Sequence, residues 1–317
     1  MRTASIARLV QPVSLAVIVA CGSEHDPVAI KLQTMSFANS EWSEPANLGP
    51  AINTASNENN PTLSPDGLSL YFTSDRAGGL GLTDIWVSHR TCGDCPWAAA
   101  VNLGSPINTA STDIAPTISI DGHLLFFASG RVPEGGIGDI YLSRRDDPKD
   151  DFGWGEPMRL GPEVNTPAFE AGPEYLQSAE DGATNLFFGR QPVGGLFDIY
   201  AVAVTQRGDI RGPALPIPEL NTAFVETGPT IRTDGREVLF FSGRPETLGS
   251  NDFWVSTRRS VHDPWSAPEH VTAISSSGND RHPSLSSDAR TLLFASTRTG
   301  GFGLDDLWMS TRTPSGH

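Results

Sequence analysis

The chain has 317 residues, 38% of them hydrophobic, enough to bury a sizeable core. Its formal charge of −15 repels phosphate backbones and anionic lipid headgroups, which excludes nucleic acid as a partner. Glycine (32) and proline (25) are abundant and the repeated segments lack helical apolar spacing, so short strands and tight turns are expected.

Residues 1–20 read as a secretory signal. Arg2 and Arg8 make a basic start, and Val13 to Ala20 an apolar core too short to span a bilayer. Loss of these two arginines takes the remaining chain from −15 to −17. The stretch Ile18-Val19-Ala20-Cys21 resembles a bacterial lipobox, in which the cysteine is lipidated and becomes the mature N-terminus. The resemblance implies a bacterial cell-envelope protein anchored to the membrane through acyl groups on Cys21. Gly22 after the cysteine is similar to lipoproteins sent to the outer membrane, facing the periplasm or the cell surface. Residues 21–36 then form the lipidated cysteine and a flexible tether, and the ordered domain is expected over 37–317.

From Glu58 onward one pattern is written five times. An acid (Glu58, Asp113, Glu170, Glu226, Asp280) precedes a proline by three residues (Pro61, Pro116, Pro173, Pro229, Pro283). An Asp-Gly turn (Asp288-Ala289 in copy five), an aromatic-rich strand and an arginine follow (Arg76, Arg131, Arg190, Arg244, Arg298). Eight residues later comes an aspartate (Asp84, Asp139, Asp198, Asp252, Asp306), followed by two hydrophobic residues. A segment of the form Trp-x-x-Pro-x-x-Leu, at Trp42, Trp97, Trp154 and Trp265, supplies a fourth strand; copy four has Gly212 there. Four antiparallel strands in five copies predict an all-β, five-bladed β-propeller. The chain opens on a fourth strand and ends on a third, so the N-terminal strand is expected to complete the last blade and close the ring.

Pro-x-x-Ser-x-Asp-Gly, Phe-x-Ser-x-Arg, Gly-Gly-x-Gly and Asp-Ile-Trp/Tyr together resemble the TolB-like, WD-repeat-like propeller repeats of bacterial envelope proteins. Ile52-Asn53-Thr54 and Ile107-Asn108-Thr109 strengthen the likeness. It covers about residues 41–312 and implies a propeller that presents surfaces to other proteins.

The five acids sit ahead of the strands that would line a central channel. They could form a carboxylate ring, as a cation site or a general acid and base for glycoside cleavage. The favoured reading is structural: in each blade the arginine returns beside the acid, and its fork serves both the acid and the loop aspartate. The expected clips are Glu58–Arg76–Asp84, Asp113–Arg131–Asp139, Glu170–Arg190–Asp198, Glu226–Arg244–Asp252 and Asp280–Arg298–Asp306. Asn53, Asn108, Asn165 and Asn221, each five residues before an acid, read as loop-holding residues, with Ser275 in the fifth copy. Departures from the repeat are the better pointers to binding. Copy three spaces Pro173 and Asp181 by eight residues instead of five, which marks Tyr175 and Gln177; copy five places Arg281 and His282 before its proline. Cys92 and Cys95 are expected to form a disulfide clip in a turn. No catalytic constellation, metal set or cofactor motif stands out.

The expectation is therefore a non-enzymatic, envelope-anchored scaffold that binds a protein partner in the envelope. The alternative is a carbohydrate-binding protein or glycosidase-like enzyme that takes a small molecule or sugar at the channel mouth.

Overall fold

The computed structural model describes residues 40–131 and 138–314. The signal segment, Cys21 and the tether lie outside the described residues. The fold is the expected five-bladed propeller of antiparallel sheets. Blade one holds Glu58–Leu63, Ser69–Ser74, Asp84–His89 and Val101–Asn102. Blade two holds Asp113–Ile118, Leu124–Ser129, Asp139–Arg144 and Met158–Arg159. Blade three holds Phe169–Gln177, Thr184–Gln191, Asp198–Ala203 and Leu215–Pro216. Blade four holds Glu226–Ile231, Glu237–Ser242, Asp252–Thr257 and Glu269–His270. Blade five holds Asp280–Leu285, Thr291–Ser296 and Asp306–Pro314.

The ring closes as expected. Ala46–Asn47 pairs with the last strand at Met309 and Trp308, and Ser40–Trp42 pairs further along it, at Pro314 to Arg312. Blade five is thus completed by residues more than 250 positions away in sequence, and no blade edge is left at the junction. The outermost strands are only two residues long in blades one to four, which keeps the rim edges short.

Both faces of each blade are apolar because each packs against a neighbour, so the core is divided among the five seams. Leu124, Phe126 and Leu142 meet Leu186, Phe188 and Val202 between blades two and three. Ile52, Leu70 and Phe72 meet Leu293, Ala295 and Leu307 at the closing seam. Phe72, Phe127, Phe188, Phe240 and Phe294 occupy the same position of the second strand and are all fully buried.

Each inner strand carries a bulge two residues after its acid. The residue there has positive φ in all five blades: Asn60 48°, Ala115 55°, Gly172 60°, Gly228 59° and His282 51°. The proline that follows has no N–H to give the ladder, so the bulge is where it is tolerated. The acids also differ slightly from expectation. They belong to the inner strands, as the first residue in four blades and the second in blade three, because they pair in register with the second strand, as Glu58 does with Ser74.

Candidate functional site

The inner strands begin on one face of the disc, here the acid face, and end in the Asp-Gly turns of the other, the turn face. On the acid face all five acids meet their arginines: Glu58–Arg76 at 2.9 Å, Asp113–Arg131 at 2.8 Å, Glu170–Arg190 at 2.8 Å, Glu226–Arg244 at 3.1 Å and Asp280–Arg298 at 2.7 Å. All five carboxylates are inaccessible to solvent. Glu226 illustrates how completely they are used: it accepts from Thr222 N–H at 2.8 Å, Thr222 Oγ1 at 2.6 Å, Ser242 Oγ at 2.8 Å and Arg244. The Arg244 guanidinium also lies over Phe240 and Trp254, at 5.2 and 4.9 Å. A buried carboxylate with four donors is a structural joint with no lone pair to spare for a proton in transit. In blade three Arg190 takes the register position that serine holds elsewhere, and burial raises the pKa of Glu170.

The third member of the expected clip is not there. Asp84, Asp252 and Asp306 instead hold their own glycine-rich loops. Asp306 accepts from Phe302 N–H at 2.6 Å and Gly303 N–H at 3.1 Å, and from Asn47 at 2.8 Å. Asp84 does the same with Leu80, Gly81 and Asn102, and Asp252 with Leu248, Gly249 and His270. Asp139 is paired with Arg159 at 2.6 Å. Loop amides three and four residues back are already within reach, so local closure outcompetes the arginine. In blade three Pro216 faces Tyr200 where the other blades bring Asn47, Asn102, Arg159 or His270, and burial raises the pKa of Asp198. The asparagines are structural, as expected. Asn53 gives to Leu307 C=O at 2.9 Å and accepts from Leu307 N–H at 2.8 Å, so it ties its blade to the preceding one. Cys92 and Cys95 are joined as a disulfide in the turn of blade one.

The channel carries a different carboxyl. Four residues after the acid, the five blades present Thr62, Thr117, Glu174, Thr230 and Ser284. Glu174 is the only acid among the described residues that line the channel, and no arginine pairs with it. It accepts from Thr117 Oγ1, Thr230 Oγ1 and Ile231 N–H, each at 3.2 Å. These neutral donors offset burial only in part, and its pKa is raised to about 7. Sequence reasoning passed over Glu174. The available signal was an acid directly after the repeat proline, where the other copies have a hydroxyl.

Glu174 sits where two chambers meet. The acid-face chamber is small, about 40 Å³, and is bounded by Asn60, Ala115, Gly172, Gly228 and His282. The turn-face mouth encloses about 70 Å³ and opens to solvent. Gln177, Thr62, Thr233, Ser286 and Ser287 give it polar walls, with Ile118, Ile120 and Leu285 between them. The lengthened stretch of copy three builds one side of this mouth. It is tied to blade four through Ala179 N–H to Thr233 C=O at 2.8 Å and Glu180 to Arg236 at 2.8 Å.

The four residues marked for binding therefore part company. Gln177 lines the turn-face mouth. Tyr175 is a core residue, 8% exposed, its ring stacked on Phe126 at 5.7 Å. His282 faces the other chamber, edge-on to Phe241 at 5.1 Å. Burial and the Arg281 charge push its pKa down to about 3, so it is a neutral imidazole. It does not work with Asp280, which is taken up by Ser276, Ser296 and Arg298. Arg281 pairs with Asp305.

No protein-family model and no curated protein matches this chain. Solved structures do. A GH43 endo-arabinanase from Bacillus licheniformis superposes with a TM-score of 0.56 at 16% identity, over 81% of this chain and 94% of its own. A GH43_1 enzyme from Xanthomonas citri complexed with xylotriose gives 0.56 at 16%, over 91% and 98%. An α-L-arabinofuranosidase from Lactobacillus brevis gives 0.56 at 15%, over 83% and 92%. At these identities the likeness establishes the shared fold. These neighbours are glycoside hydrolases and not TolB-like or WD-repeat-like proteins, so the resemblance drawn from the repeat motif is set aside. The protein-binding scaffold and the non-enzymatic reading that rested on it go with it.

Proposed function

We propose that this chain is a carbohydrate-active propeller, with the turn-face mouth of the channel as its glycan site and Glu174 as the proton-transferring carboxyl. The observation that carries the reading is the asymmetry of Glu174. Five acids repeated in five blades are neutralised by arginine, while one acid stands at the channel with a pKa of about 7. Cleavage of a glycosidic bond needs a carboxyl that still holds its proton near neutral pH, to give it to the leaving oxygen. Hydroxyl and amide groups alternating with aliphatic side chains suit the polar edges and apolar faces of a sugar ring. The fold shared with an arabinofuranosidase, an endo-arabinanase and an enzyme complexed with xylotriose supports the same class of ligand. Glycoside hydrolysis commonly uses a second carboxyl, and none lines the channel among the described residues. Binding and cleavage are therefore read separately.

The test uses the full-length protein with arabino- and xylo-oligosaccharides between pH 5 and 8, measuring affinity by calorimetry and cleavage by release of reducing ends. The expected result is binding, with any cleavage falling as pH rises through about 7 and lost in Glu174→Gln. The reading is overturned if neither binding nor cleavage occurs, or if Glu174→Gln changes neither.

A further inference from the structure

The seam between blades three and four is left open at the rim. In the middle of the third strand, the other blades give the seam with the next blade a large apolar side chain: Val87, Leu142, Val255 or Met309. Blade three gives Ala201, which pairs with Phe187 as those residues pair with Tyr71, Phe126, Leu239 and Leu293. The cover differs as well. Between blades one and two, Asp151 accepts from Tyr71 Oη at 2.7 Å and from Ser69 Oγ at 2.6 Å, and so closes the corresponding place. Blade three has Phe187 and Asn185 at those two positions, neither of which is bonded in this way. The facing turn of blade four is also shorter, seven residues from Arg258 to Trp265 against nine from Arg145 to Trp154 in blade two. Interiors are close-packed, so a truncated side chain that nothing covers leaves space. The result is a groove of about 480 Å³, against about 40 and 70 Å³ for the two chambers of the channel.

The lining of the groove narrows its ligand. Leu176, Phe187 and Trp265 are buried in its floor. Leu215, 63% exposed, stands on the blade-three wall, and Val261 and Pro264 on the blade-four wall. The charges are uneven. Glu219 on the blade-three side and Asp263 on the blade-four side are both exposed, and neither has an ion-pair partner among the described residues. Asp181, a third acid, is held by His262 at 3.5 Å. Arg258 is the arginine of the lining; it lies over the Trp265 ring at 4.1 Å and gives its Nε–H to Gly235 C=O at 2.6 Å. Three acids against one arginine leave the groove negative. An anion would be repelled, and a neutral apolar molecule would leave the carboxylates unused. An apolar body with a positive end matches both the floor and the rim, and a groove of this volume suits a small molecule. We infer that the groove between blades three and four is a binding site for an organic ammonium ion, an apolar molecule that carries a protonated amine. The body fills the dent at Ala201 and the amine meets the carboxylates at the rim. This goes beyond the Glu174 reading and depends on different residues.

The experiment titrates full-length protein near neutral pH with three matched probes, 4-phenylbutylamine, 4-phenylbutanol and 4-phenylbutyrate, followed by saturation-transfer NMR and calorimetry. The amine is expected to bind about threefold to tenfold more tightly than the alcohol, the effect of one or two exposed ion pairs, and the carboxylate more weakly than either. High salt should remove most of the amine's advantage. Glu219→Gln combined with Asp263→Asn should bring the amine down to the alcohol; both residues are exposed, so the fold is kept. Ala201→Val installs the residue of blades one and four and should weaken amine and alcohol alike by filling the floor. Leu215→Arg, on the exposed wall, should repel the amine should Ala201→Val fail to fold. The inference is overturned if the amine does not bind, if the alcohol or the carboxylate binds as tightly, or if the double variant and Leu215→Arg both bind the amine as well as the parent. Glu174→Gln is expected to leave amine binding unchanged. Amine binding lost in that variant would assign the probe to the channel and overturn the groove, whereas loss of oligosaccharide binding alone concerns only the first reading.

Discussion

The ionisation of Glu174 should be written into the stability of the whole propeller. An unfolded glutamate titrates near 4.5, and the folded group titrates near 7. The folded state therefore binds the proton more tightly, and its advantage is complete below the unfolded value. As pH rises from 4.5 towards 7 the folded state must retain a proton the unfolded chain has released, or ionise in place, and stability is lost. Above about 7 both states are ionised and the loss is complete. The gap corresponds to about 3 kcal/mol at most, since one pKa unit is worth about 1.4 kcal/mol. Glu174→Gln keeps the shape, can still accept from Ile231 N–H, and carries no proton to lose. Its stability relative to the parent should therefore rise by up to about 3 kcal/mol between pH 4.5 and 7.5 and then level off. Denaturant midpoints of both proteins at half-unit pH steps measure this difference directly. A difference that stays flat with pH, or that favours the parent as pH rises, would refute the argument that burial dominates at this carboxyl.

Other perturbations test the scaffold around it. Arg244→Met leaves Glu226 charged and buried and should cost about 3–5 kcal/mol, while the double variant with Glu226→Gln should recover part of the loss; thermal melts of both distinguish a pair from a bystander. Asn53→Ala removes the side chain that holds Leu307 N–H and C=O at the closing seam. It should destabilise by about 2–4 kcal/mol, against a smaller loss for Ser275→Ala, whose serine reaches the neighbouring strand only through a long bond accepted from Phe253 N–H at 3.2 Å and otherwise donates locally to Val271 C=O at 2.9 Å. Arg258→Ala removes the guanidinium stacked on Trp265 at 4.1 Å and bonded to Gly235 C=O at 2.6 Å. Urea unfolding should show a loss of about 1–3 kcal/mol. Cys21→Ser should move the protein from the membrane fraction to the soluble fraction of the producing cells, as membrane fractionation would show.

Much of this architecture is legible in one dimension because the repeat states it five times. The acid and the arginine could be paired on paper, since an antiparallel hairpin returns the second strand beside the first whatever surrounds it. The aspartate after the glycine-rich loop was assigned to the wrong partner for a local reason: loop amides a few residues away compete better than a guanidinium already shared between a carboxylate and backbone carbonyls. Tyr175 looked like a binding residue because it lies in the one irregular turn. The bulge at Gly172 resets the alternation of the strand, however, and sends the ring into the seam against Phe126.

The sequence by itself determined what each blade is, how many there are and how the ring closes, because those depend on period, turn chemistry and hydrogen bonding between neighbours in the chain. Only the tertiary structure decided where the chemistry lies. Glu174 means little until four hydroxyl-bearing residues from other blades are brought round it and burial lifts its pKa. Ala201 becomes the floor of a groove only when blade four is set beside it. Pattern fixes a strand's place in its sheet, but the environment that tunes a carboxyl or opens a groove is made by residues far apart in sequence that meet only when the blades pack.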